Sequence, residues 1–223
     1  MIKTNNGLVE FAKSKVGSAY MWGAFGQAVT EGFIQQKKRQ YPSHYTDEYI
    51  AKCRKNTGKR AYDCVGLIKA YYWDGGYNAV TDIGANTMYE RASVKGAINT
   101  IPEKPGVCVW RSGHIGVYIG NGEVIEARGI DYGVVKTKLN DRDFTNWLEC
   151  PYIEYEAASE ESIVIRLGDT VTVKPGSKTY TGGGIASFVF GRVYRVDELK
   201  GERAVLDLKG ICTPVNVRDL IKV

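Results

Sequence analysis

Residues 114–127 read HIGVYIGNGEVIEA, two alternating runs on either side of Gly120-Asn121-Gly122. Asn-Gly between alternating segments is among the strongest short-range hairpin signals. The chain is therefore expected to build an antiparallel sheet around this point. Two registers are open. A two-residue turn at Asn121-Gly122 pairs Val117 with Glu126 and puts Glu126 on the face opposite His114. A three-residue loop over 120–122 pairs Gly116 with Glu126. His114 and Glu126 then share a face as diagonal neighbours, roughly 7–8 Å apart at the backbone, so a joint catalytic role for the two predicts this longer loop. Gly122 suits the left-handed residue that commonly ends such a loop. If Glu126 has no role beside His114, it is expected as a surface carboxylate paired with Arg128 or Lys136.

The segment 64–73, CVGLIKAYYW, places Cys64, Leu67, Ile68, Tyr71 and Tyr72 at i, i+3, i+4, i+7 and i+8. That spacing predicts a helix with one buried stripe, ended by Asp74-Gly75-Gly76. Upstream, residues 7–16 predict a short amphipathic helix, with Asn6 as N-cap and Gly17 as C-cap. Residues 18–26 are aromatic and Gly-rich and read as a shaped loop. Residues 27–60 are polar and partly helix-prone, with a break at Tyr41-Pro42, and read as a helical insertion or a lid.

Composition shifts near residue 156. The run EAASEE over 156–161 reads as a linker. Short strands follow at 169–173, 188–196, 203–208 and 211–217, the pattern of a small β-barrel. The expected organisation is an α+β domain over 1–155, a linker over 156–162 and a small all-β domain over 163–223. The sequence has no internal repeat.

Cys64 follows Asp63 and opens the predicted helix. Unpaired N–H groups and the helix dipole at that position favour thiolate and can help hold a developing oxyanion. A buried structural Cys is the plain alternative. His114 is one of two His in the chain. A Cys with a downstream His is the minimum for an activated thiol nucleophile, because imidazole titrates near neutral pH. Gly113 and Gly116 are expected to keep the surroundings of His114 open. The other imidazole, His44, lies in a Pro-Ser-His-Tyr loop and is assigned no role.

Five scattered Cys without a CxxC pair, and two His, argue against a disulfide framework and against a metal centre. No metal or other cofactor is expected. The net charge of +5 is mild, and Lys37-Lys38-Arg39 reads as a solvated helix face rather than a docking patch. Nucleic acid is not expected as a partner, and no apolar stretch is long enough for a membrane span. The N-terminal residues lack the apolar core of a signal peptide, so synthesis in the cytoplasm is expected.

At Tyr20-Met21-Trp22-Gly23, Asp63-Cys64-Val65-Gly66-Leu67 and the run from His114 to Gly122, the sequence resembles the NlpC-type papain-like cell-wall peptidases. The blocks occur in the family's order, and the resemblance covers roughly residues 7–155. The long stretch between Trp22 and Cys64 resembles a phage and prophage branch of endolysins. The resemblance implies a papain-like fold with a small antiparallel sheet, bacterial peptidoglycan as partner and cleavage of its stem peptide. The implied bond is D-γ-glutamyl to diamino acid, with an L-alanine amidase and an inactive wall-binding protein as alternatives. Cys64 then matches the nucleophile and His114 the base. Glu126 matches a third polar position often filled by His. Asp63 matches a residue that binds the amino end of the stem peptide, and Tyr20 one that lines the site. Val65 departs from the usual Ser and lacks its hydroxyl. The tail resembles bacterial SH3-like wall-binding modules, with Tyr180, Phe188, Phe190 and Tyr194 as candidate ligand contacts, at least half of them expected in the core. Action on the wall without a signal peptide implies phage-mediated release or carriage in a virion.

Overall fold

A computed structural model describes residues 2–155 and 165–223. The chain divides into two compact units, Met1–Glu156 and Ala157–Val223. The expected linker lies outside the described residues.

The first unit begins with α1 (Asn5–Ser14), capped by Thr4, whose side chain accepts from the Gly7 N–H. The cap is Thr4, not Asn6, because the turn starts two residues earlier than the apolar spacing suggests. The C-cap is Lys15, while Gly17 takes φ +88° two residues on. The short strands β1 (Ala19–Tyr20) and β2 (Phe25–Ala28) follow, then the helices α2 (Glu31–Gln40) and α3 (Asp47–Arg54), and β3 (Arg60–Tyr62). β3 pairs parallel with β1 and antiparallel with β2. Residues 27–60 thus hold a helical insertion with its own core of Ile34, Tyr45, Ile50 and Cys53, packed on Met21 and Ala24. Lys37 is only 6 % exposed, its ammonium over the rings of Phe33 and Tyr41. It therefore leaves the solvated face on which its charge run had placed it.

α4 (Cys64–Trp73) is the central helix. Asp74 ends it in the left-handed region, at φ 51°. The helix is buried on more than one stripe: Val65, Gly66, Lys69 and Trp73 join Cys64, Leu67 and Ile68. The cause is that β2 covers the side facing away from the main sheet. A β-carbon on Gly66 would run into the Ala24 carbonyl, so only glycine lets the two segments cross there.

After α5 (Ala85–Arg91) come β4 (Lys95–Ala97), β5 (Cys108–Arg111), β6 (His114–Gly120), β7 (Glu123–Gly129), β8 (Gly133–Lys138) and β9 (Asn146–Leu148). They form one antiparallel sheet in the order β4-β9-β5-β6-β7-β8. α4 packs on β6 and β7 through Leu67, Ile68, Ile115, Val117 and Ile125, all essentially sealed from solvent.

The second unit holds β10 (Thr170–Val173), β11 (Val193–Lys200), β12 (Arg203–Leu206), β13 (Thr213–Asn216) and β14 (Leu220–Lys222). Their antiparallel order is β13-β12-β11-β10-β14. Val171, Val173, Val196, Leu206, Val215 and Leu220 fill its core. The expected strand over 188–196 starts only at Val193, because Ser187–Val189 is a 3-10 turn and Gly191 takes φ +77°. Tyr194 is buried and Phe190 packs against the core, whereas Tyr180 and Phe188 are exposed.

Candidate active site

The β6–β7 hairpin decides whether His114 and Glu126 can meet. Its turn is the two-residue Asn121-Gly122, with φ of 53° and 70°, the positive pair that a hairpin turn of this kind requires. Gly120 pairs with Glu123, yet Val117 pairs with Ile125. A bulge at Ile119 shifts the register by one residue between these pairs. Beyond the bulge the strands run as a three-residue loop would have set them, with Gly116 opposite Glu126. The expectation of a longer loop is therefore corrected: the short turn and a bulge together give the same facing. Two side chains hold the turn. Glu103 accepts from the Asn121 N–H at 2.7 Å, and the Tyr118 hydroxyl accepts from the Gly122 N–H at 3.1 Å.

On that face His114 Nε2 stands 2.6 Å from Glu126 Oε2. Glu126 is fully buried. Thr137 Oγ1 donates to Oε1 at 2.8 Å, and Arg142 donates through Nε at 2.7 Å to Oε1 and through Nη2 at 3.1 Å to Oε2. Burial pushes the carboxyl up, but the hydrogen bonds from His114, Arg142 and Thr137 outweigh it and hold the pKa at about 2. Glu126 is thus neither on the surface nor paired with Arg128 or Lys136. Lys136 bonds Glu123, and Arg128 lies over the Tyr132 ring.

An ionised Glu126 can only accept, so the proton between the two groups sits on His114 Nε2. In the neutral imidazole this leaves Nδ1 as the unprotonated, basic nitrogen; the assignment follows from the hydrogen-bond partners. Phe144 stacks on the ring at 5.8 Å between centroids, 16° from parallel. Gly116 is not open space: a β-carbon there would lie 3.2 Å from Glu126 Cβ. Gly113 is open, and its N–H bonds Asn86.

Cys64 opens α4, and the backbone N–H groups of Ile115, the residue after His114, of Val65 and of Cys64 itself lie close enough to its sulfur to favour the thiolate. Burial, then the charge of Asp63, raises the thiol to about 12 against these three donors. The N–H groups at the helix start do favour thiolate, as expected, but burial and the Asp63 charge outweigh them. Such a sulfur rests as thiol and needs a base at the moment of attack.

Asp63 is the N-cap of α4. Its Oδ1 accepts from Gly66 N–H at 2.5 Å and its Oδ2 from Gly23 N–H at 2.8 Å. Burial raises this carboxyl, opposed by Lys69, by those two N–H groups and by Lys37. Tyr20 packs in the same cluster as Cys64; burial, then the Cys64 and Asp63 charges, raises its hydroxyl. Thr137 and Arg142 had no local signal in the sequence. The first lies on an alternating strand, the second just after a 3-10 turn.

Among the described residues, no group of three or more His, Cys, Asp or Glu is arranged to hold a metal ion. All five Cys are free thiols. No described helix is long and apolar enough to cross a membrane.

No family model and no curated protein sequence matches the chain. Solved structures similar to it include these three. The NlpC/p60 domain of the hydrolase SagA is 18% identical, with a TM-score of 0.41 over 66% of this chain and 98% of that one. The hydrolase RipB of Mycobacterium tuberculosis is 18% identical, with a TM-score of 0.44 over 68% of this chain and 65% of its own. The P60 domain of an antigen from M. avium subspecies paratuberculosis is 19% identical, with a TM-score of 0.42 over 68% of this chain and 96% of that one.

Proposed function

We propose that the first unit hydrolyses a peptide bond of bacterial peptidoglycan, with Cys64 as nucleophile, His114 as base and Glu126 as its orienting carboxylate. One observation carries the reading. A buried, ionised Glu126 fixes the proton on His114 Nε2, while the Cys64 sulfur lies beside the N–H of the next residue, Ile115, which favours its thiolate. The substrate class comes from the motif resemblance at Tyr20-Met21-Trp22-Gly23, Asp63-Cys64 and His114–Gly122.

In this mechanism His114 Nδ1 takes the thiol proton as Cys64 Sγ attacks the carbonyl carbon. The N–H groups of Cys64 and Val65, already turned to the sulfur, donate to the oxyanion. The C–N bond breaks, and the amine leaves with the proton from His114. Water then gives a proton to His114 and its oxygen to the thioester, releasing the acid and restoring the thiol. Glu126 stays ionised throughout and stabilises the imidazolium.

The bond proposed first is D-γ-glutamyl to diamino acid. A second reading, an amidase acting at L-alanine, is favoured by one feature. Val65 brings no hydroxyl, and one acceptor site on each Asp63 oxygen is already taken by a backbone N–H, which weakens the hold on a free stem-peptide amine. Tyr20 lines the site in either case. The second unit is proposed as an SH3-like wall-binding module, with exposed Tyr180 and Phe188 as its ligand contacts. Release through a phage-made pore would bring the protein to the wall. Digestion of defined muropeptides by wild type and Cys64→Ala, with products weighed by mass spectrometry, tests the reading. A new amine at the diamino acid supports the first bond, and a freed L-alanine amine supports the second. Equal cleavage by Cys64→Ala rejects both.

A further inference from the structure

The helical insertion does more to the Trp22 segment than cover it. The Tyr49 hydroxyl accepts from the Trp22 N–H at 2.9 Å, and the Tyr45 hydroxyl donates to the Trp22 carbonyl at 2.6 Å. Both polar groups of one residue are thus gripped from the start of α3, by Tyr45 just before its N-cap Thr46 and by Tyr49 in its first turn. Met21 before it is fully buried, and the N–H of Gly23 after it is tied to Asp63. A segment held this firmly would be expected to bury its largest side chain. Instead the Trp22 residue is 38 % exposed. Its indole is stacked by His44, the rings 4.4 Å apart and tilted by 30°, and Tyr49 packs its edge against His44 at 4.8 Å. Among the described residues, neither ring nitrogen of His44 has a hydrogen-bond partner. Burial lowers the His44 pKa, so near neutral pH the ring offers one donor and one acceptor.

A rigid aromatic face beside an unused pair of polar ring atoms suits an amphipathic ligand. A stem peptide of alanine, glutamyl and diamino acid residues offers no broad, flat apolar face. A pyranose does: its axial C–H groups form one flat apolar side, and its hydroxyl or acetamido groups point outward at the rim. Position fits as well. Tyr20, two residues before Trp22, packs with Cys64, and Gly23 bonds the residue that precedes Cys64.

We infer that Trp22 and His44 form a saccharide subsite beside Cys64, with the indole taking the C–H face of a sugar ring and the imidazole its polar rim. The inference rests on the peptidoglycan reading of the Cys64 site and adds that the sugars attached to the stem peptide are recognised too. His44, which sequence reasoning set aside, becomes a ligand contact.

Binding is measured by calorimetry on the full chain carrying Cys64→Ala, so that nothing is turned over. Two probes are compared, a disaccharide-tetrapeptide and the same tetrapeptide without sugars. The expected result is a Kd at least about tenfold lower for the sugar-bearing probe. Adding Trp22→Ala should shrink that ratio to about two or less, His44→Ala should reduce it by several-fold, and Trp22→Phe should keep most of it. The Tyr45 and Tyr49 bonds are to the Trp22 backbone, and an unchanged thermal melt checks that they survive. A ratio untouched by Trp22→Ala and His44→Ala, or equal loss of both probes, overturns the subsite while leaving the hydrolase reading intact. Failure of both probes to bind, together with no muropeptide cleavage by wild type, overturns the hydrolase reading and the subsite with it.

Discussion

Gly116 leaves the space that Glu126 fills: a β-carbon at position 116 would stand 3.2 Å from Glu126 Cβ and 2.9 Å from Val124 Cγ1. Neither neighbour can retreat, since both are sealed in the sheet. Gly116→Ala should therefore cost about 1–3 kcal/mol by overpacking. It should also lower kcat more than it raises KM, because it moves the carboxylate that orients His114. Urea denaturation and steady-state kinetics on the same sample check this; wild-type values for both would show that the sheet yields freely at this point.

Arg142 gives Glu126 two of its four hydrogen bonds. Arg142→Met should destabilise the unit by about 3–5 kcal/mol, the usual effect of removing one partner of a buried ion pair. The Glu126 pKa should rise, so activity should begin to fail at a higher pH on the acid side. A pH–rate profile superimposable on that of wild type would remove Arg142 from the account.

Acid stability follows from the same carboxylate. Its folded pKa of about 2 lies below the ordinary value of 4.5. The stabilisation is fully present above about pH 4.5 and is lost as pH falls through 2, amounting to about 3 kcal/mol. Glu126→Gln should flatten this part of the pH–stability curve, read by chemical denaturation between pH 2 and pH 6. An equally steep acid loss in the variant would assign it to other carboxylates.

The raised Cys64 thiol makes a prediction about reactivity. At pH 7 Cys64 should alkylate with iodoacetamide more slowly than exposed Cys212, and its rate should keep rising with pH to at least 10. Peptide mapping by mass spectrometry resolves the two sites. Faster labelling of Cys64 at neutral pH would mean that a resting thiolate forms, and that the dipole and His114 outweigh dehydration after all.

How far the sequence revealed this arrangement depends on range. The hairpin and α4 are legible because Asn121-Gly122 and the apolar spacing from Cys64 to Tyr72 are local signals. The bulge at Ile119 is not, since it depends on Glu103 and Tyr118 gripping the turn. Either turn length could be drawn, and tertiary bonds chose a third solution. Arg142 reaches Glu126 from 16 residues away without any periodic cue. The resting protonation of Cys64 is not legible because the helix start is visible in sequence while the depth of burial is not. His44 was passed over for the same reason: its stacking on Trp22 exists only once the insertion has folded.

The most direct measurement is the rate of amine release from purified wall by wild type, by Cys64→Ala and by His114→Ala, with folding of each confirmed by circular dichroism. Loss of activity by about 10³-fold or more in each single variant, with no further loss in the double, is the outcome expected of residues acting as one unit. A folded Cys64→Ala protein that retains activity within tenfold of wild type would contradict the assignment of the nucleophile and everything built on it.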